Sequence, residues 1–281
     1  MDKHRFGSTR QDIPVIGQGT WFIERSERTS VIAALRRGID LGSTHIDTAE
    51  MYGWGASEEI VREAIAGRRD QIFLVSKVVP ENATRQGVRT SCEASLRRLG
   101  TDRLDCYLLH WRGMHPLERT IAGFEQLRAE GKILSWGVSN FDVIDLDQVR
   151  LIAGAGHPAC NQVLYHLQER AIEHEVLPWC EKHNVAVVGY SPFGHGHFPG
   201  PSTIRGRLLQ GIAAAHHATP RQVALRFLVR RPFLFTIPKA STPAHAEENA
   251  GAGSLHLDEH EINEIDKAFP PGPRRDGIPM L

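Results

Sequence analysis

Short apolar segments rich in β-forming residues recur along this 281-residue chain at a near-regular interval, and a helix-length amphipathic stretch separates most of them. The segments are Val15 to Thr20, Thr44 to Asp47, Ile72 to Lys77, Leu104 to His110, Ile133 to Val138, Ala159 to Val163, Val185 to Tyr190 and Leu234 to Pro238. Runs this short and this apolar read as buried strands. The stretches between them place apolar residues at i, i+3 and i+4 spacing, as in Val31, Leu35 and Ile39 or Ile60, Ala64 and Ile65, which is the stripe of a helix packed by one face. Strand–helix units repeating about every 25 to 35 residues, with a longer gap before the last, predict an α/β fold, a (β/α)8 TIM barrel.

A doubly wound open sheet is the rival, and it would favour a G-x-G-x-x-G turn after an early strand. Gly17-Gln18-Gly19 continues instead with Thr20-Trp21-Phe22, so the third glycine is missing. Ahead of the first barrel strand, His4 to Ser8 and Asp12 to Ile16 flank a polar turn and are expected to form a short N-terminal β-hairpin closing the barrel bottom. No Pro/Gly/Ser linker divides the chain, which is read as a single domain over residues 1–281.

Lys and Arg together number 33 and so do Asp and Glu, so no global field attracts nucleic acid or an anionic membrane. The N-terminal residues lack a signal-peptide core, and no apolar run approaches the roughly 20 residues that span a bilayer. The expectation is a cytoplasmic protein, monomeric, with neither nucleic-acid nor membrane partners. Cys92, Cys106, Cys160 and Cys180 are scattered without a C-x-x-C pair and read as reduced thiols. The histidine pairs His195/His197 and His216/His217 have no third ligand at a recognisable spacing and H-E-x-x-H is absent, so they read as loop and helix-surface residues and no metal is expected.

In a barrel enzyme the C-terminal ends of the strands project into the active-site mouth. Asp47, Lys77 and His110 end three consecutive strands, and Tyr52 follows the first of them in its loop. Each has an ordinary use, as a helix cap, a surface charge, a core histidine and a loop aromatic respectively. Four titratable groups converging at one mouth point instead to proton chemistry, and a buried lysine demands a partner.

In type, order and approximate spacing, Asp47, Tyr52, Lys77 and His110 resemble the catalytic tetrad of the aldo-keto reductases. Gly42-Ser43-Thr44-His45-Ile46-Asp47-Thr48-Ala49 with Tyr52-Gly53, and Gly131 to Phe141, resemble two further blocks of that family, so the resemblance spans essentially the whole chain. It implies hydride transfer from NADPH, with NADH as the alternative, to the carbonyl of a small aldehyde, ketone or dicarbonyl substrate. Tyr52 would donate the proton, Lys77 would lower the phenol's pKa from about 10, Asp47 would hold Lys77, and His110 would position the carbonyl oxygen.

The resemblance also assigns a cofactor groove. Gly19 and Thr20 end the first strand; Ser139, Asn140 and Gln162 would pair with the carboxamide; Tyr190 would stack on the nicotinamide, followed by Ser191 and Phe193 in the loop that would cover the pyrophosphate. Lys239, Ser241 and Thr242 would meet the 2′-phosphate, and Glu248 and Asn249 the adenine edge. Two positions depart from the family: Ala240 stands where Ser is frequent, and His245 where Arg is frequent. Trp21, Trp54 and Trp111 are expected to line an apolar substrate pocket, left open by a short C-terminal tail beyond Phe269. The run Val163 to Gln168 and the loop His110-Trp111-Arg112-Gly113 look most like the bacterial branch containing methylglyoxal reductases. The competing reading is a catalytically slow, nicotinamide-binding regulatory subunit.

Overall fold

A computed structural model, describing residues 1–281, places the strands as β1 (Lys3–Arg5), β2 (Asp12–Pro14), β3 (Gln18–Gly19), β4 (His45–Asp47), β5 (Phe73–Val78), β6 (Leu104–Leu109), β7 (Ile133–Ser139), β8 (Cys160–Leu164), β9 (Ala186–Tyr190) and β10 (Leu234–Thr236). The helices are α1 (Arg28–Asp40), α2 (Ala56–Ile65), α3 (Arg85–Leu99), α4 (Leu117–Ala129), α5 (Val143–Ala153), α6 (Val176–His183), α7 (Ile204–Ala215), α8 (Pro220–Leu228), α9 (Pro243–Gly251) and α10 (Glu259–Ala268). Strands β3 to β10 pair in chain order as one parallel eight-stranded sheet. Parallel bridges from Ile16 to Thr236 and from Gly19 to Lys239 join its ends, so the sheet closes into the (β/α)8 barrel.

Alternation along each strand sorts side chains between two cores. Ile46, Leu74, Val78, Tyr107, Leu109, Trp136 and Val138 pack outward against the helices. Phe73, Val75, Cys106, Leu108, Cys160, Ala186, Val188, Phe235 and Ile237 fill the barrel interior. The inward parity of β5 and β6, carried two residues past Val75 and Leu108, reaches Lys77 and His110. The periodicity that builds the core therefore also aims the titratable groups into the mouth.

The hairpin β1–β2 pairs Lys3 with Pro14 and Arg5 with Asp12, and it closes the other end. Phe6, fully buried, enters from its turn and meets the rings of Phe73 at 4.8 Å, Phe235 at 5.3 Å and His45 at 6.0 Å. All four cysteines are free and buried. No helix is long and apolar enough to cross a membrane.

Candidate active site

The strand ends surround a cleft of about 380 Å³ that runs from Tyr52, His110 and Trp111 past Ser139, Asn140, Gln162 and Tyr190 to Ile237 and Lys239. At its floor the Lys77 ammonium, fully buried, donates to Asp47 Oδ1 at 2.5 Å and to the Thr48 carbonyl at 2.8 Å, and lies 3.4 Å from the Tyr52 hydroxyl. The second carboxylate oxygen of Asp47 accepts from Gln162 Nε2 at 2.7 Å. The buried charge is thus paired, and both its carboxylate oxygens are satisfied, which is the condition for keeping an ion pair in the interior.

Burial opposes the Lys77 charge, but Asp47 and then Tyr52 outweigh it, so its pKa stands above the ordinary lysine value. Tyr52 differs from the sequence expectation. Burial raises its pKa more than Lys77 lowers it, and the phenol lies above 10.0 in net. His110 is held well below 6.5, first by burial and then by the Lys77 charge, so it is a neutral imidazole at physiological pH. Its Nδ1 is buried without a partner, and its ring meets that of Tyr52 edge to face at 5.8 Å.

Ser139 and Asn140 have a job other than helix capping, because α5 is capped by the Asp142 side chain, which accepts from the Asp145 amide. Ser139 Oγ donates to the Gln162 carbonyl at 2.9 Å, while Asn140 Nδ2 donates to the His110 carbonyl and Asn140 Oδ1 accepts from Tyr190 at 3.0 Å. Asn140 adopts φ 60°, and Phe22, Trp54, Ser191 and His195 around the mouth are likewise left-handed; these are five of the seven such non-glycine residues in the chain. Backbone held in sparsely populated conformations at one rim is a common accompaniment of a binding site.

Gly19, Thr20, Trp21, Ser191 and Phe193 also line the cleft. Ser241, Thr242, His245, Glu248 and Asn249 lie beyond Lys239, outside its lining. Thr242 caps α9, Ser241 Oγ accepts from Ser26, and Glu248 accepts from Thr219 at 2.7 Å. Arg112 donates to the carbonyls of Gly113 and His115 and serves its own loop.

Two expectations about the substrate side are corrected. Trp54 does not line the cleft: at 94% exposure it stands in solvent, because Gly53, Trp54 and Gly55 all have positive φ and the turn throws the ring outward. Nor is the mouth left open by the tail, since Met280 and Leu281 are part of the cleft wall. Sequence reasoning also missed His195, which stacks on Trp21 at 5.4 Å across the mouth. No local pattern signals that contact, because it joins two loops far apart in the chain.

Comparison with known proteins gives one family model, the aldo/keto reductase family, matching residues 15–269. Methylglyoxal reductase YeaE of Escherichia coli strain K12 is 44% identical over 96% of this chain and 95% of its own length. Among solved structures, an aldo/keto reductase from Klebsiella pneumoniae in complex with NADP and acetate superposes with a TM-score of 0.93 at 42% identity, with both chains covered completely. A thermostable aldo-keto reductase in complex with the inhibitor epalrestat gives 0.88 at 36% identity, covering 95% of this chain and 99% of its own.

Proposed function

The chain belongs to the aldo/keto reductase family and is an NAD(P)H-dependent oxidoreductase acting on carbonyls, and we propose that it uses NADPH to reduce small aldehydes, ketones and dicarbonyls with Tyr52 as the proton donor. The observation that carries this reading is the Asp47–Lys77–Tyr52 chain of contacts beneath a cleft with His110 on its wall.

The residues present fit a nicotinamide dinucleotide. Gln162 donates its side-chain nitrogen to Asp47, which leaves its side-chain oxygen Oε1 to accept from a carboxamide, beside the Ser139 hydroxyl and the Asn140 amide. Tyr190 offers a flat face from the same wall. Lys239, with the N-terminus of α9 capped by Thr242 nearby in sequence, suits phosphate, and this favours NADPH over NADH. The chemistry supplied from outside the chain is a hydride, delivered from reduced nicotinamide to the carbonyl carbon.

As that carbon gains hydride, the carbonyl oxygen takes the Tyr52 proton, and Lys77 stabilises the phenolate left behind. A phenol with a raised pKa is fully protonated at neutral pH, as a donor must be. Neutral His110 retains an N–H with which to orient the carbonyl oxygen. Trp21, Trp111, Met280 and Leu281 give the substrate end an apolar wall. Likeness to a methylglyoxal reductase makes α-dicarbonyls the first substrates to try.

Purified protein mixed with NADPH and methylglyoxal should consume NADPH in a substrate-dependent manner. Tyr52→Phe should cut turnover by about 100-fold or more, while NADPH affinity stays within about twofold of the parent. Near-parental turnover in that variant would remove Tyr52 from the role of proton donor.

A further inference from the structure

We propose that Arg221 is the planar cation on which the adenine ring of the dinucleotide stacks, an assignment that rests on the cofactor reading above. Arg221 is the second residue of α8, and the first turn of that helix is fastened to α9 at a single point. Thr219 Oγ1 donates to Glu248 Oε1 at 2.7 Å, and Gln222 Nε2 donates to the Glu248 carbonyl at 2.9 Å. On its other side Leu225 of α8 and Val229, just past the helix, pack into the small cluster that Phe193 joins from the cleft wall. Arg221 therefore stands between the wall of the groove and the helix that follows Lys239.

Its guanidinium lies 5.3 Å from the ring centroids of both Phe193 and Phe198, two rings set edge to face at 5.8 Å. Neighbouring arginines are neutralised, Arg37 by Glu247 and Arg226 by Asp2. Arg221 makes no ion pair and no side-chain hydrogen bond; the aromatic pair alone orients it, on an exposed surface. A guanidinium resting on rings keeps a free face, and a flat, electron-rich purine is the ligand chemistry that matches a planar, weakly hydrated cation. Lys239 is a point charge suited to phosphate, so the two cations divide the adenosine end between base and phosphate.

Titration of intrinsic tryptophan fluorescence with NADPH, NADH and reduced nicotinamide mononucleotide separates the cases, because Trp21 and Trp111 line the groove. Arg221→Ala should weaken NADPH and NADH by a similar factor, about five- to tenfold, and leave the mononucleotide unchanged. Arg221→Lys, which keeps charge without the plane, should not restore the loss. Parental affinity for both dinucleotides in Arg221→Ala, or a loss confined to NADPH, would overturn the stacking assignment. Failure of the parent protein to bind either dinucleotide would remove the cofactor reading and this inference with it.

Discussion

Lys77 shows how a residue that is costly by itself becomes affordable through its neighbours. Its ammonium is wholly buried, and Asp47, held in turn by Gln162, supplies the compensating charge. Removing one member of such a pair strands the other. Lys77→Met should therefore lose about 3–5 kcal/mol of stability, and adding Asp47→Asn should recover part of it. Urea unfolding of the single and double variants would show this, and a double variant less stable than Lys77→Met would contradict it. The same burial shapes the pH profile of reduction. The protonated form of Tyr52, the one the proposed role requires, is lost only as pH rises through a pKa above 10.0, and His110 stays neutral as pH falls through 6.5 because its pKa lies well below that value. The kcat/KM for reduction should accordingly stay flat from about pH 6.5 to 9, whereas a limb centred near 6.5 would show that His110 ionises as an ordinary histidine does.

At the scale of elements, the strands were legible because burial on both faces makes them short and apolar, and the convergence of Asp47, Tyr52, Lys77 and His110 was legible because these residues end or follow those strands. What pattern alone could not supply was the route of segments without periodicity. The Gly-Trp-Gly turn looked like pocket lining, yet its backbone handedness turns Trp54 out to solvent. The Pro/Gly/Arg-rich tail looked too short to matter, yet it is led back across the mouth by a series of contacts. Arg170 donates to the Phe269 carbonyl, His174 bonds the Gly272 carbonyl at 2.9 Å, and Arg274 and Arg275 pair with Glu175 and Glu169. All four anchoring residues of that path lie in the segment that follows β8, so a single loop fixes the tail. Deleting Met280 and Leu281 should raise KM for a small aldehyde by about tenfold, the value of lost apolar contact, and improve bulky ketones relative to it. Unchanged relative kcat/KM across such a panel would mean that these residues are bystanders.

For the molecule as a whole, the two ends of the barrel make opposite demands on polarity. The mouth holds its buried charge through pairing, whereas the bottom is sealed by aromatic packing in which Phe6 plugs the interior from the hairpin. His45 lies between these regimes: it is fully buried against Phe6 and Phe73, and neither ring nitrogen has a partner. Burial lowers its pKa to about 4, with Asp47 opposing and Lys77 assisting the shift. From pH 6.5 down to about 4 the unfolded chain takes up a proton that the folded protein refuses, so stability falls with falling pH across that window and levels off below it. The full effect of this one group is about 3 kcal/mol. His45→Leu should remove that part of the acid sensitivity, and at pH 7 it should be no less stable than the parent, since it relieves two buried nitrogens that have no hydrogen bond. Urea unfolding at pH 7 and pH 4.5 would measure both effects in one series. A variant that loses as much stability as the parent between these two pH values would place the acid sensitivity of the barrel elsewhere.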